Sequence, residues 1–184
     1  MMLQHNLQLA SVAVSLPWLV YFVNRILPVD LRLYGLRPHH LDGLWGLLCG
    51  PFLHINLSHL IANTVALFVL LTVAFSFSRK LTVIAILIIS ILGGGLVWIF
   101  GKGNTIHIGS SGIIFGLIGF LMFIGVFRRE WRALAVSVII FFLYGGALLS
   151  LFYTLPGISW EGHLFGFLSG VSAAWWTKSA KSKF

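Results

Sequence analysis

Two short stretches of this chain hold side chains that could carry covalent chemistry. One is Gly109-Ser110-Ser111-Gly112; the other is His163-Leu164-Phe165-Gly166-Phe167-Leu168-Ser169-Gly170. A serine is a weak nucleophile until a base takes its proton, and histidine is the side chain that does this most often. A third stretch, His54-Ile55-Asn56-Leu57-Ser58-His59-Leu60-Ile61-Ala62-Asn63, supplies further donors. His59 and Asn63 are four residues apart, about 40° around a helix, and share one face. A serine, a histidine and two more donors are the parts of an acyl-transfer site: nucleophile, base and oxyanion stabilisers. Each stretch also has a plain alternative. His and Asn bond helices together inside membranes, a serine caps a helix whose Gly112 and Gly116 then pack a neighbour, and His163, Gly166 and Gly170 form a small-residue packing stripe.

The elements that must position these residues follow from composition. Of the 184 residues, 59% are apolar and 9% charged, against about 25% charged in a soluble domain. So few charges cannot cover a water-facing surface, and disorder is excluded with it. The charges bound six uncharged runs, 1–24, 43–78, 81–101, 103–127, 133–160 and 162–177. A bilayer span needs about 20 mostly apolar residues. The expected fold is an all-α membrane protein, a single domain over 1–184 with six transmembrane helices near 8–27, 58–78, 81–101, 111–128, 133–154 and 159–177. A loop of about 30 residues, 28–57, joins the first two on the outer side. Its segment Leu41 to Leu48 is apolar but too short to cross.

The net charge of +8 does not indicate nucleic acid, because the basic residues cluster at helix ends rather than along a stripe. Arg79, Lys80, Arg128, Arg129, Arg132, Lys178, Lys181 and Lys183 fall on the side of the N-terminus, and Arg25, Arg32, Arg37 and Lys102 on the other. The asymmetry places both termini in the cytoplasm. Cys49 is alone, so neither an internal disulfide nor a thiol metal site is expected.

In that topology spans two, four and six all begin on the outer side. His59, Asn63, Ser111 and His163 then lie at one depth, within the first turns of their helices. Glu161 is two residues before His163 and points away from it around a helix, so a Ser–His dyad is expected rather than a triad. Phe115, one turn after Ser111, is placed to stack on the His163 ring. His107 could compete as base, although a histidine in a loop is more often solvated.

These residues resemble the rhomboid family of intramembrane serine proteases. The resemblance rests on H-x4-H-x3-N at His54, His59 and Asn63, G-x-S-G at Gly109, Ser111 and Gly112, and H-x2-G-x3-G at His163, Gly166 and Gly170, in that order. It implies a rhomboid-like bundle in which Ser111 is the nucleophile and His163 the base, the Ser111 amide with His59 and Asn63 holds the oxyanion, and His54 keeps water and hydrogen bonds in the cavity. Span five, with Phe141, Phe142, Tyr144 and Gly145-Gly146, resembles the family's lateral gate, and the loop near 154–159 its cap. The implied partners are transmembrane protein substrates in the lipid bilayer, with no metal or organic cofactor, and the implied location is a bacterial cytoplasmic membrane with the site opening outward. One departure is Trp45-Gly46, where family members often have Trp-Arg. The rival readings are a non-cutting rhomboid-like scaffold that binds client helices, and a small transporter or channel. The inner halves of spans two and four, Val65 to Leu71 and Phe120 to Phe127, are too apolar for the latter.

Overall fold

The computed structural model describes residues 2–151 and 159–180. Helix α1 (Met2–Ile26) leads into a segment of short turns: Leu31–Tyr34, Leu41–Trp45, α2 (Gly46–Cys49) and Gly50–Phe52. Then come α3 (Leu57–Ile88), a wide π-turn at Ile89–Gly93 and α4 (Gly94–Phe100). α5 (Ser111–Arg128), α6 (Trp131–Tyr144) with a 3-10 extension Gly145–Leu151, and α7 (Trp160–Thr177) complete the order. The last residues of the expected fifth span and the cap loop near 154–159, Ser159 apart, lie outside the described residues.

Four helical stretches are long and apolar enough to cross a membrane: Met2–Ile26, Leu57–Phe100, Ser111–Arg128 and Trp131–Leu151. α7, diluted by Glu161, His163 and two serines, is not among them. Leu57–Phe100 holds 44 residues, about 66 Å if straight and twice a bilayer core of about 30 Å. It is not straight. Ser78 is extended (φ −168°, ψ 117°), and its hydroxyl accepts from the Leu81 amide at 3.4 Å where the helix restarts. Beside this break Arg79 donates to Asn6 (2.8 Å) and Asn6 to Ser76 (3.2 Å), near the start of α1. The far end returns to the 27–56 segment, where Trp98 Nε1 donates to the His40 carbonyl (2.8 Å) and the His39 amide to the Trp98 carbonyl (3.1 Å).

α5 is the central element. Nearly every residue from Ile114 to Leu121 is buried, and Ile124 and Gly125 continue the pattern. A helix apolar all round belongs in the middle of a bundle. Glycines bring its neighbours close. A Cβ at Gly166 would strike the Gly112 carbonyl, one at Gly170 the Gly116 carbonyl, and one at Gly119 the Phe167 carbonyl, so α5 and α7 touch backbone to backbone. On the other flank Gly125 abuts Ala133, and Ser137 donates to the Leu121 carbonyl at 2.8 Å, fixing the first half of α6. Its second half is less buried: Ala133, Ser137 and Ile140 are the buried residues of α6, and Gly145–Leu151 has none, although Tyr144 and Leu148 pack partly buried on the core. At the C-terminal end of α5 Arg128 lies over Phe77 and donates to the Ala180 carbonyl (2.8 Å).

The α5–α7 contact has a direct consequence. Gly170→Val forces the helices apart and should remove about 1–3 kcal/mol of stability, whereas Gly95→Ala, where a Cβ meets nothing within 4 Å, should be neutral or stabilising by up to about 1 kcal/mol. Thermal unfolding of both variants in detergent tests the pair.

Candidate active site

Ser111 is the first residue of α5, where the amides of a helix lack internal partners. The turn before it depends on Gly109, which has φ +107° and whose amide donates to the Gly50 carbonyl at 2.9 Å. A Cβ there would be strained and would also come within 2.7 Å of the His59 ring and 3.4 Å of Asn63. Glycine therefore lets the turn before Ser111 approach the His59–Asn63 face of α3. Ser110 is buried, whereas Ser111 is half-buried and lines a cavity with His107, Ser159, Gly162 and Gly166. The cavity encloses about 80 Å³, room for a few waters.

The α3 start is held by Asn56, which accepts from the His59 amide at 2.8 Å. Asn63 Nδ2 lies 3.0 Å from His54 Nε2 and 3.2 Å from His59 Nε2. His54 Nδ1 donates to the Phe52 carbonyl at 3.4 Å, so its Nε2 is the acceptor, and Asn63 gives one hydrogen to each histidine. His59 then carries its proton on Nδ1, which is buried and has no partner among the described residues. An orphan donor at this depth is costly unless an incoming acceptor completes it.

The α7 start is held by Ser159, whose hydroxyl accepts from the Gly162 amide at 3.0 Å. His163 sits one turn on, buried, with Phe115 stacked on it: ring centroids 4.1 Å apart, planes within 11°. Stacking bridges α5 and α7 at the level of Ser111. The turn that carries Ser111 also faces α7, since a Cβ at Gly112 would lie 3.6 Å from the Gly162 carbonyl. Among the described residues no hydrogen bond joins Ser111 to His163; such contacts are often long before substrate arrives.

His107 is not the solvated loop residue expected. Its backbone pairs with Leu36 through two hydrogen bonds (3.0 and 2.8 Å), and both ring nitrogens are engaged. Thr105 gives its proton to the Lys102 carbonyl, so it accepts from His107 Nε2 at 2.9 Å. Ser159 then donates to His107 Nδ1 at 2.5 Å. With its lone pair occupied, His107 is a strut between the Ser111 loop and the cap of α7, and burial pushes its imidazole below the usual range, with Glu161 opposing. Sequence reasoning also missed Ser150, whose hydroxyl lies 3.3 Å from His163 Nδ1. Its signal was a lone hydroxyl in the apolar run after Tyr144. Of the expected gate, Phe141 and Phe142 are exposed and packed edge to face, and Tyr144 is half-buried.

His54 lies before α3, and burial, reinforced by the neighbouring His59, pushes its imidazole down to about 4. An unfolded histidine titrates near 6.5. Between those values the unfolded chain binds the extra proton, so stability should be full above about pH 6.5 and fall as pH drops toward 4. His54→Gln, which keeps an acceptor for Asn63, should flatten part of that slope in pH-dependent thermal unfolding.

Comparison with known proteins gives the family. Residues 41–180 match the Rhomboid domain. An uncharacterised Mycobacterium tuberculosis protein, Rv1337, is 39% identical over 92% of this chain and 74% of its own length. An uncharacterised Mycobacterium leprae protein, ML1171, is 39% identical over 92% of this chain and 70% of its own. YdcA of Bacillus subtilis, provisionally named a rhomboid protease, is 31% identical over 68% of this chain and 63% of its own. The matched region carries all three polar clusters and the glycine contacts between α5 and α7, and the chain belongs to the rhomboid family.

Proposed function

We propose that this multi-pass membrane protein is an active intramembrane serine endopeptidase, cutting transmembrane segments of other proteins through a Ser111–His163 dyad. The observation that carries the reading is the stack of Phe115 on His163 across the Gly112–Gly166 contact, which holds an imidazole beside the helix start bearing Ser111. His163 Nε2 takes the Ser111 proton as Oγ attacks the scissile carbonyl, then passes it to the leaving amine as the tetrahedral intermediate collapses. Water activated by the same imidazole releases the acyl group. The cavity beside Ser111 supplies that water at a depth where the bilayer would not.

The developing oxyanion is held by the Ser111 amide, His59 and Asn63. Asn63 releases one histidine to donate to it, and His54 retains the other hydrogen of the amide. The six-span topology, with both termini cytoplasmic and the site toward the outer face, fits the break at Ser78 and the gathering of Asn6, Arg79 and Arg128 at the end opposite the site. The loose outer half of α6, with Phe141, Phe142 and Tyr144, is the side from which a substrate helix enters. Such a helix must unwind locally, since its amides are otherwise hydrogen-bonded. The alternative is a scaffold that binds clients without cutting them, and it predicts no labelling of Ser111 by a fluorophosphonate.

Cleavage of a reporter transmembrane substrate by purified protein in detergent tests the proposal. Ser111→Ala and His163→Ala should abolish cleavage, and Asn63→Ala should lower it about 10²- to 10³-fold. Ser110→Ala should retain measurable cleavage. Full activity of Ser111→Ala, or loss confined to Ser110→Ala, overturns the assignment.

A further inference from the structure

We infer that Ser150 is the positioning residue that fixes the tautomer and ring rotation of His163, taking the place of the missing triad acid; the inference rests on the dyad reading above. Ser150 Oγ donates its one proton to the Ala147 carbonyl at 2.8 Å. Toward His163 Nδ1, 3.3 Å away, it can then only accept. The imidazole proton is held on Nδ1, and Nε2 is left with the lone pair that a base for Ser111 requires. The stacked Phe115 ring fixes the plane of the imidazole. A half-turn within that plane, about the bond to Cβ, would exchange the nitrogens for carbons without disturbing the stack. The Ser150 hydroxyl forbids that half-turn, because only one orientation presents Nδ1–H to it. Glu161 cannot substitute, as it makes no hydrogen bond to His163 among the described residues.

The location of this acceptor adds a consequence. Ser150 lies in Gly145–Leu151, which contributes no buried residue and follows a helix whose buried residues are Ala133, Ser137 and Ile140; Tyr144 and Leu148 pack partly buried against the core. The orientation of the base is thereby tied to the seating of that segment. An outward displacement of it would take the Nδ1 partner away from His163.

The test uses the full chain purified in detergent with ¹⁵N-labelled histidine. The ¹⁵N shifts of His163 in the unmutated protein should show the proton on Nδ1; a proton on Nε2 overturns the inference whatever the variants do. Ser150→Ala should lower kcat about tenfold, as expected for one neutral hydrogen bond, with KM within twofold, and the Nδ1–H tautomer should no longer be the only one. Ser150→Thr, which keeps the hydroxyl, should restore both. Ser150→Ala with unchanged kcat, or with KM alone altered, refutes the positioning role. Ser111→Ala in the same assay separates the two readings: if it still cuts, the dyad fails, and if it is dead while Ser150→Ala matches the unmutated protein, only the role of Ser150 fails.

Discussion

The backbones of α5 and α7 touch at Gly112–Gly166 and Gly116–Gly170, and the site depends on that contact. In a bilayer, apolar side chains give helices little reason to prefer one another over lipid, so association rests on close packing and on polar bonds between helices. Glycine pairs supply the first. They bring the first turns of α7 against the first turns of α5, the turns that carry His163 and Ser111. Phe115 then fills the remaining space with a ring parallel to the imidazole. A larger residue at 166 or 170 would meet the Gly112 or Gly116 carbonyl and push the helix bearing His163 away from the one bearing Ser111.

The polar groups of the site obey a second constraint. Each must find a partner at a depth where water is scarce. Asn63 satisfies His54 and His59 together, Asn56 caps α3, Ser159 caps α7, and His107 ties Thr105 to Ser159. These bonds join the loop before α3, the loop before α5 and the start of α7 into one polar layer. His59 Nδ1 is the buried nitrogen of this layer that has no partner among the described residues, and under the proposed reading it is the donor that meets the developing negative charge.

Much of this was legible in the sequence. The polar residues His59, Asn63, Ser111 and His163 stand in the first turns of three otherwise apolar segments, and the structure places each of them in the first turns of α3, α5 and α7. The spacing of His163, Gly166 and Gly170 indicated a face that could be approached closely, and the structure puts α5 there. Phe115 one turn beyond Ser111 was enough to expect stacking, because a helix repeats its face at that interval. The turn between the second and third spans was marked by Arg79 and Lys80, although the helix runs on at both sides of the extended Ser78 rather than giving way to a loop. Contacts between segments distant in sequence were not legible. Nothing local distinguishes His107 from a solvated loop histidine; its burial follows from the pairing with Leu36, 71 positions earlier in the numbering. Ser150 was hidden for the same reason, since its meaning depends on which imidazole nitrogen faces the end of α6.

The distribution of stability follows from these two constraints together. The middle of α5, Ile114 to Leu121, is buried and α7 meets it backbone to backbone, so Ser111 and His163 stand on the most closely packed pair of helices among the described residues. α6 is fastened at Ser137 and Ala133 and released beyond Ile140. A closely packed pair of helices beside one with fewer buried residues is the arrangement that the proposed activity would need to keep its geometry while admitting an apolar helix from the lipid. The segment after α6 is still joined to α7, because the Ser150 hydroxyl lies 3.3 Å from His163 Nδ1. Under the proposed activity, the chemistry rests on glycine-packed backbone and access on the segment whose buried residues end at Ile140, and that hydroxyl joins the two.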